Sequence, residues 1–376
     1  YKCYNIGMFI KSFISTILAP IILIGGIFSP KPVVYVAPVQ KTETSIPKKP
    51  NEVIATKATS TEKTKSNTKI ASTTPIKKTK SIEKTTPPVQ KETKTDPDFE
   101  AMNDFARKAT VNIFCSTKGG SLSPLSGTGA IVTPKGLILT NAHIGQFFLL
   151  KDLREKDYLQ CYARTGSPAL PKYNLELVYI SPEWISANKS TLKDENPKGT
   201  GENDFAFLRI TGDVNNNKLP DTFPYIKMNV REDLEINEPV VLVAYPAGFL
   251  GGITINQNLN VASAITKIQN IFTFKNGEND LISIGGTILS QRGSSGGLVV
   301  DRDFSLIGII STSTNAPETS DRELNAITLA HINRALQEEL SMALNQFVSQ
   351  DPVEFADKFN QKTAPILTKV LENSLK

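Results

Sequence analysis

Three short segments of this 376-residue chain carry side chains that together could activate a hydroxyl for attack on a carbonyl. The first, SGTGAIVTPKGLILTNAHI, ends in His143 and Ile144, just after two strand-like runs joined by a Pro-Lys-Gly turn. An imidazole can take a proton from a hydroxyl and return it to a leaving group near neutral pH. The chain has only two histidines, so such a base is His143 or His331. His331 lies in LAHINRAL, at the start of a helical pattern, and reads as a capping or packing residue. The second segment, NDFAFLRI, puts Asp204 at the mouth of an apolar strand, where a carboxylate can accept the ring's Nδ1 proton and hold the useful tautomer. Asp before a strand is also a common turn residue, so this segment has weight only beside the others. The third, QRGSSGGLVV, flanks Ser295 with glycines just ahead of a strand. Ser295 is the expected nucleophile, and the N–H groups of Gly293 and Ser295 are the expected donors to a developing oxyanion. Taken alone, that run is equally a Gly/Ser turn without chemistry.

The order His, Asp, Ser differs from that of subtilisins and α/β-hydrolases. With TNAH, NDFAFLRI and GSSGG in that order, residues 105–333 resemble the trypsin-like (chymotrypsin-fold) serine proteases, closest in flavour to the bacterial Deg or HtrA group. The resemblance implies an all-β fold of two antiparallel six-stranded barrels with the active site between them. It also implies serine endopeptidase activity on protein or peptide substrates, with no cofactor. On the same resemblance, the pocket for the substrate residue before the scissile bond (P1) is lined by Leu289, Ser290 and Gln291 and by Ile309, Ile310, Ser311 and Thr312. None of these is acidic, so a buried basic side chain would lack a counter-charge and small or medium apolar P1 residues are expected. Ser294 stands where digestive members carry an Asp that receives a newly cut N-terminus, so no activation of that type is expected. The 45 residues after His331 are mostly helical in pattern and do not accommodate a PDZ domain. A different class of function is a pseudoprotease that keeps the fold and binds peptides or a partner without cutting.

The elements that must hold these residues read as short β-prone runs between turn signals. They include TVNIFCST, GTGAIVTP, GLILTN, YNLELVYI, DFAFLRI, PVVLVAYP, LNVASAITKI, DLISIGGTIL, GGLVVD and SLIGIISTS. Residues 98–333 therefore form the expected β domain. The polar stretch between Trp184 and Asn203 predicts a surface loop ahead of the Asp204 strand. Apolar residues at helical spacing, Leu329, Ile332, Leu336, Leu340 and Leu344, together with a second helical pattern after Pro352, predict a helical tail over 334–376.

The first hundred residues differ in kind. Ser12 to Pro30 is a run of nineteen uncharged residues, close to the length needed to cross a bilayer, so residues 1–37 read as an N-terminal membrane anchor or a signal segment. Residues 38–97, rich in Thr, Lys and Pro and poor in aromatics, predict a disordered tether reaching on the order of 40 to 50 Å. The protease domain is thus expected outside the cytoplasmic membrane, tethered to it, or secreted after signal cleavage. The net charge of +5 sits in this N-terminal part: residues 98–376 hold 26 Lys and Arg against 31 Asp and Glu, a net −5. No dense basic cluster interleaved with aromatics occurs there, which speaks against nucleic acid as a partner. Cys115 and Cys161 lie in strand-like runs and form either a disulfide between neighbouring strands or two buried thiols. Asp213, Asn215 and Asn217 resemble the opening of a calcium loop, but Lys218 and Pro224 stand where Gly and Glu are needed, so the run reads as a turn. No metal site is expected.

Overall fold

The computed structural model describes residues 98–118, 123–194, 199–248, 250–275, 277–314, 316 and 321–375. The expected anchor and tether, residues 1–97, lie outside the described residues. Among the described residues no helix is long and apolar enough to cross a membrane.

Six strands form the first barrel: β1 (Thr110–Thr117), β2 (Leu125–Ile131), β3 (Leu137–Thr140), β4 (Leu159–Thr165), β5 (Leu170–Ile180) and β6 (Ala206–Asp213). They close in the order β1-β2-β3-β6-β5-β4, every pair antiparallel. Both faces of β1 are covered over most of its length, so its polar Asn112 must find partners. It donates to Gly127 O (2.7 Å) and accepts from Arg164 Nε (2.7 Å). Cys115 and Cys161 stand directly opposite on β1 and β4, with Cα atoms 4.1 Å apart, and are joined by a disulfide.

The second half departs from the expected six-stranded barrel. Its strands are β7 (Lys227–Met228), β8 (Pro239–Ala244), β9 (Ala262–Lys267), β10 (Asn270–Phe272), β11 (Leu281–Ser283), β12 (Leu298–Val300), β13 (Ser305–Ser313) and β14 (Leu324–Thr328). They make an eight-stranded sheet, β10-β11-β14-β13-β12-β8-β9, with β7 added parallel to β13. The count rises because the LNVASAITKI strand bends after Lys267 and resumes as β10. Side-chain and backbone bonds then draw the sheet ends together: Thr266 Oγ1 donates to Ile284 O (3.0 Å) and Gln269 N to Ser283 O (2.8 Å). Inside lies an aliphatic core that includes Val240, Leu242, Ile282, Val299 and Ile310.

The domain is not purely all-β. Helices α1 (Phe99–Lys108), α2 (Ala142–Leu149), α3 (Pro182–Asn188) and α4 (Gly252–Gln257) interleave with the strands. Part of the expected loop after Trp184 is helical for a local reason. Ser181 Oγ accepts from Trp184 N (3.1 Å) while Pro182, which has no N–H to satisfy, occupies the first turn. Trp184 is buried as a result.

The tail folds as α5 (Leu329–Leu340), α6 (Leu344–Ser349), α7 (Pro352–Lys362) and α8 (Ala364–Leu375). Helix α5 runs through the expected 333/334 boundary and stops at Ser341, whose left-handed φ of 53° ends the ladder and assigns Leu344 to the next helix. Helices α6 to α8 pack on the first barrel and its helices, while α5 also lies against β13 and β14 of the second sheet. Phe347 lies 4.6 Å from Phe207 and 4.9 Å from Phe355 between ring centroids, with Tyr179, Phe205 and Phe359 in the same cluster. Glu339 of α5 accepts from Tyr179 Oη and from Ser181 Oγ, tying α5 to the strand and helix before it.

Candidate active site

His143 is carried on the first turn of α2, directly after β3. Asn141 ends the strand, and instead of capping its own helix it donates from Nδ2 to Asp204 O (2.9 Å). One free N–H of that helix start is capped from just ahead of the neighbouring strand β6: Asp204 Oδ1 accepts from the His143 backbone N (2.9 Å). The other oxygen, Oδ2, lies 2.8 Å from His143 Nδ1. One carboxylate therefore fixes both the backbone and the ring of the same histidine. Close approach of α2 to β6 requires Gly145, since a Cβ there would meet Ala206 Cβ at 2.5 Å. The His143 side chain is 30 % exposed and that of Asp204 6 %, so the ring reaches solvent above a buried anion.

A third donor to Asp204 comes from the other sheet. Ser311 Oγ of β13 donates to Oδ2 at 2.8 Å. This serine is also one of the residues expected to line the P1 pocket, and its hydroxyl faces the carboxylate. The pairing had no local signal, because Ser311 and Asp204 are 107 residues apart.

The segment around Ser295 is clamped between the two sheets. Thr128 of β2 donates from its backbone N to Ser295 O (2.8 Å) and from Oγ1 to Gly293 O (2.8 Å). The same hydroxyl accepts from Tyr245 N (3.0 Å). From the β13 side, Gly296 N donates to Ile310 O (2.7 Å) and Ile310 N to Gly297 O (2.8 Å). Ala247 N holds Arg292 O at 2.7 Å, and in a trans peptide the following N–H, that of Gly293, points the opposite way. Gly293 has φ +91°, and a Cβ would meet Tyr245 O at 2.5 Å, so only glycine fits. Among the described residues neither Gly293 N–H nor Ser295 N–H donates a hydrogen bond, which leaves both available to a ligand oxygen. Ser295 Oγ and His143 make no hydrogen bond with each other among the described residues. Such bonds are commonly long in free enzymes and shorten with substrate bound.

Residues 127–309 match the family model of the trypsin-like peptidase domain, a span that contains the His143, Asp204 and Ser295 segments. Over this span the chain is similar to trypsin-like peptidase domains. Among solved structures, it is similar to the crystal structure of a serine endoprotease from Yersinia pestis, at 20 % identity and a TM-score of 0.41. That similarity covers 64 % of this chain and 65 % of the Yersinia chain, so somewhat under two thirds of the latter's length is represented. No curated protein sequence matches the chain.

The remaining expected pocket residues lie as follows. Leu289 and Ile310 are buried in the second core and Ile309 in the core that spans the first barrel. Ser290 Oγ accepts from Thr287 N (3.0 Å), and Arg322 Nη1 donates to Ser290 O (2.9 Å). Gln291 is half-buried and donates from Nε2 to Ile288 O. The Asp213 segment is a turn: Asp213 Oδ1 accepts from Asn215 N (2.8 Å) and Asn217 Nδ2 (3.1 Å). Among the described residues no cluster of His, Cys, Asp and Glu is arranged to hold a metal ion.

Proposed function

We propose that the chain is a serine endopeptidase using Ser295 as nucleophile, His143 as general base and then acid, and Asp204 as the residue that sets the tautomer of His143. The observation that carries this reading is the double grip of Asp204 on His143, Oδ1 on the backbone N and Oδ2 on Nδ1. A carboxylate on Nδ1 puts the ring proton there and leaves Nε2 free to accept the Ser295 proton. Attack of Oγ on the peptide carbonyl forms a tetrahedral oxyanion that the amides of Gly293 and Ser295 would receive. Collapse breaks the C–N bond, His143 protonates the departing amine, and water then hydrolyses the acyl-enzyme by the same proton route.

Specificity for small or medium apolar P1 residues is part of the proposal, supported by residue type: none of Leu289, Ser290, Gln291, Ile309, Ile310 and Ser311 is acidic. So is an extracytoplasmic, membrane-tethered location, supported by the Cys115–Cys161 disulfide and the uncharged run from Ser12 to Pro30. The test is covalent labelling with a fluorophosphonate. Wild type should label, Ser295→Ala should not, and His143→Ala and Asp204→Ala should label far more slowly. A folded wild type that takes no label would instead support a pseudoprotease that binds without cutting. On a peptide library, cleavage mainly after Arg, Lys, Asp or Glu would overturn the pocket reading.

A further inference from the structure

The second histidine is not an isolated packing residue. His331 lies in the first turn of α5, its backbone N donating to the Thr328 Oγ1 cap (3.0 Å), and its side chain is 10 % exposed. Its Nδ1 lies 2.9 Å from Asp280 Oδ1, and that carboxylate also accepts from Arg334 Nη2 (2.7 Å) and Phe274 N (2.7 Å). The Phe274 ring packs against it edge-on, with centroids 4.9 Å apart. A ring held this way has one orientation. Its Nδ1 carries the proton that the Asp280 carboxylate accepts, and Nε2 is directed at Asn203, the residue before Asp204.

Asn203 needs to be held. Its φ of +56° is left-handed, which a side-chain-bearing residue adopts at a cost of about 1 kcal/mol. The turn around it is tight, with Asp204 N bonded to Gly201 O (3.1 Å) and Phe205 N to Asn203 O (2.8 Å). His331 Nε2 stands 3.4 Å from Asn203 N and 3.1 Å from Asn203 Oδ1, so either protonation state of that nitrogen finds a partner on Asn203. Asn203 Nδ2 in turn donates to Glu183 Oε2 (3.1 Å).

We propose that His331 is a positioning residue: acting through Asn203, it fixes the left-handed turn that aims the Asp204 carboxylate at His143. This rests on the endopeptidase reading for its catalytic consequence. It also gives the C-terminal helices a direct hold on the reaction, because α5 supplies the residue.

The two ring nitrogens can be tested separately. His331→Gln places an amide near the position of Nε2 and keeps the contact with Asn203 while giving up Asp280. His331→Asn places its amide near Nδ1, keeps Asp280 and stops short of Asn203. Expected is a fall in kcat of about tenfold or more in His331→Asn with KM within about twofold, and a third or more of wild-type kcat in His331→Gln. The reverse order, or equal activity in both variants, overturns the proposal. A second readout does not depend on turnover: the far-downfield proton NMR signal of the His143 Nδ1–Asp204 hydrogen bond, recorded in the inactive Ser295→Ala background. It should broaden or vanish on adding His331→Asn and persist with His331→Gln. A signal that persists in both refutes the positioning role even if the protein is an active protease. Loss of the signal with His331→Asn alone supports it even if wild type proves inactive.

Discussion

Asp204→Asn isolates the role assigned to the carboxylate. Oδ1 accepts from the His143 backbone N, a donor that cannot turn, so the oxygen of the new amide must stay there and the NH2 must take the Oδ2 position. An NH2 at that position donates, which forces His143 Nδ1 to become an acceptor and moves the ring proton to Nε2. A proton on Nε2 blocks acceptance of the Ser295 proton. The loss combines one charge-assisted hydrogen bond, about 1.5 to 3 kcal/mol, with a penalty of about the same size for returning the ring to its productive tautomer, and sums to about 5 kcal/mol. At about 1.4 kcal/mol per decade this is roughly a 10⁴-fold fall in kcat. Folding should suffer much less, because the Ser311 hydroxyl, now 2.8 Å from Oδ2, can rotate and accept from the new NH2. The assay is steady-state hydrolysis of an apolar peptide substrate, with KM expected within about threefold of wild type, alongside fluorophosphonate labelling and urea unfolding. A fall of less than tenfold in kcat would refute the tautomer argument. So would a loss confined to KM.

Other perturbations address the scaffold. Replacing Cys115 and Cys161 together by Ala reopens a loop with a sequence separation of 46, which chain entropy values at up to about 4 kcal/mol. A shift in urea stability below about 1 kcal/mol would argue against the bridge as a stabilising element. Phe347→Ala removes the ring at the centre of the aromatic cluster between the tail and the first barrel and should cost about 3 to 5 kcal/mol. Unfolding that shows the tail detaching with the barrel unaffected would contradict this coupling. Acid stability is expected to depend on the His331–Asp280 pair. Burial pushes the His331 ring down from its ordinary 6.5 despite the opposing pull of Asp280. For Asp280, burial alone would raise the carboxyl, but Arg334, the Phe274 N–H and His331 outweigh it and hold it down at about 2. Both groups bind protons more readily in the unfolded chain, so both contributions are present at neutral pH and lost on acidification. Loss begins below about 6.5 for His331 and runs from about 4 toward 2 for Asp280. Asp280→Asn should lower neutral stability by about 2 kcal/mol and flatten the pH dependence between 4 and 2. An unchanged slope there would remove Asp280 from the account.

The chemistry-bearing segments were legible because each is local. A Pro-Lys-Gly turn, a strand and a helix start place His143 within one short stretch, and the glycines around Ser295 announce a backbone that no other residue could adopt. Strands followed from β-prone runs between turn signals, and the helical tail from apolar spacing. The start of α3 was also written locally, in Ser181 and Pro182, but the polar residues after it masked the signal. Other features were decided only when distant parts of the chain met. Ser311 reaches Asp204 across 107 residues and His331 reaches Asn203 across 128, and no periodicity or turn rule links such pairs. The choice between a bridge and two thiols depended on the β1–β4 register that sets Cys115 opposite Cys161. The second sheet reached eight strands through a bend and a parallel addition that only packing selects. The sequence by itself determined which residues could perform the chemistry, since residue type and turn geometry are local properties. Tertiary structure decided what holds them, because a buried carboxylate takes its donors from whatever the closed fold brings within reach.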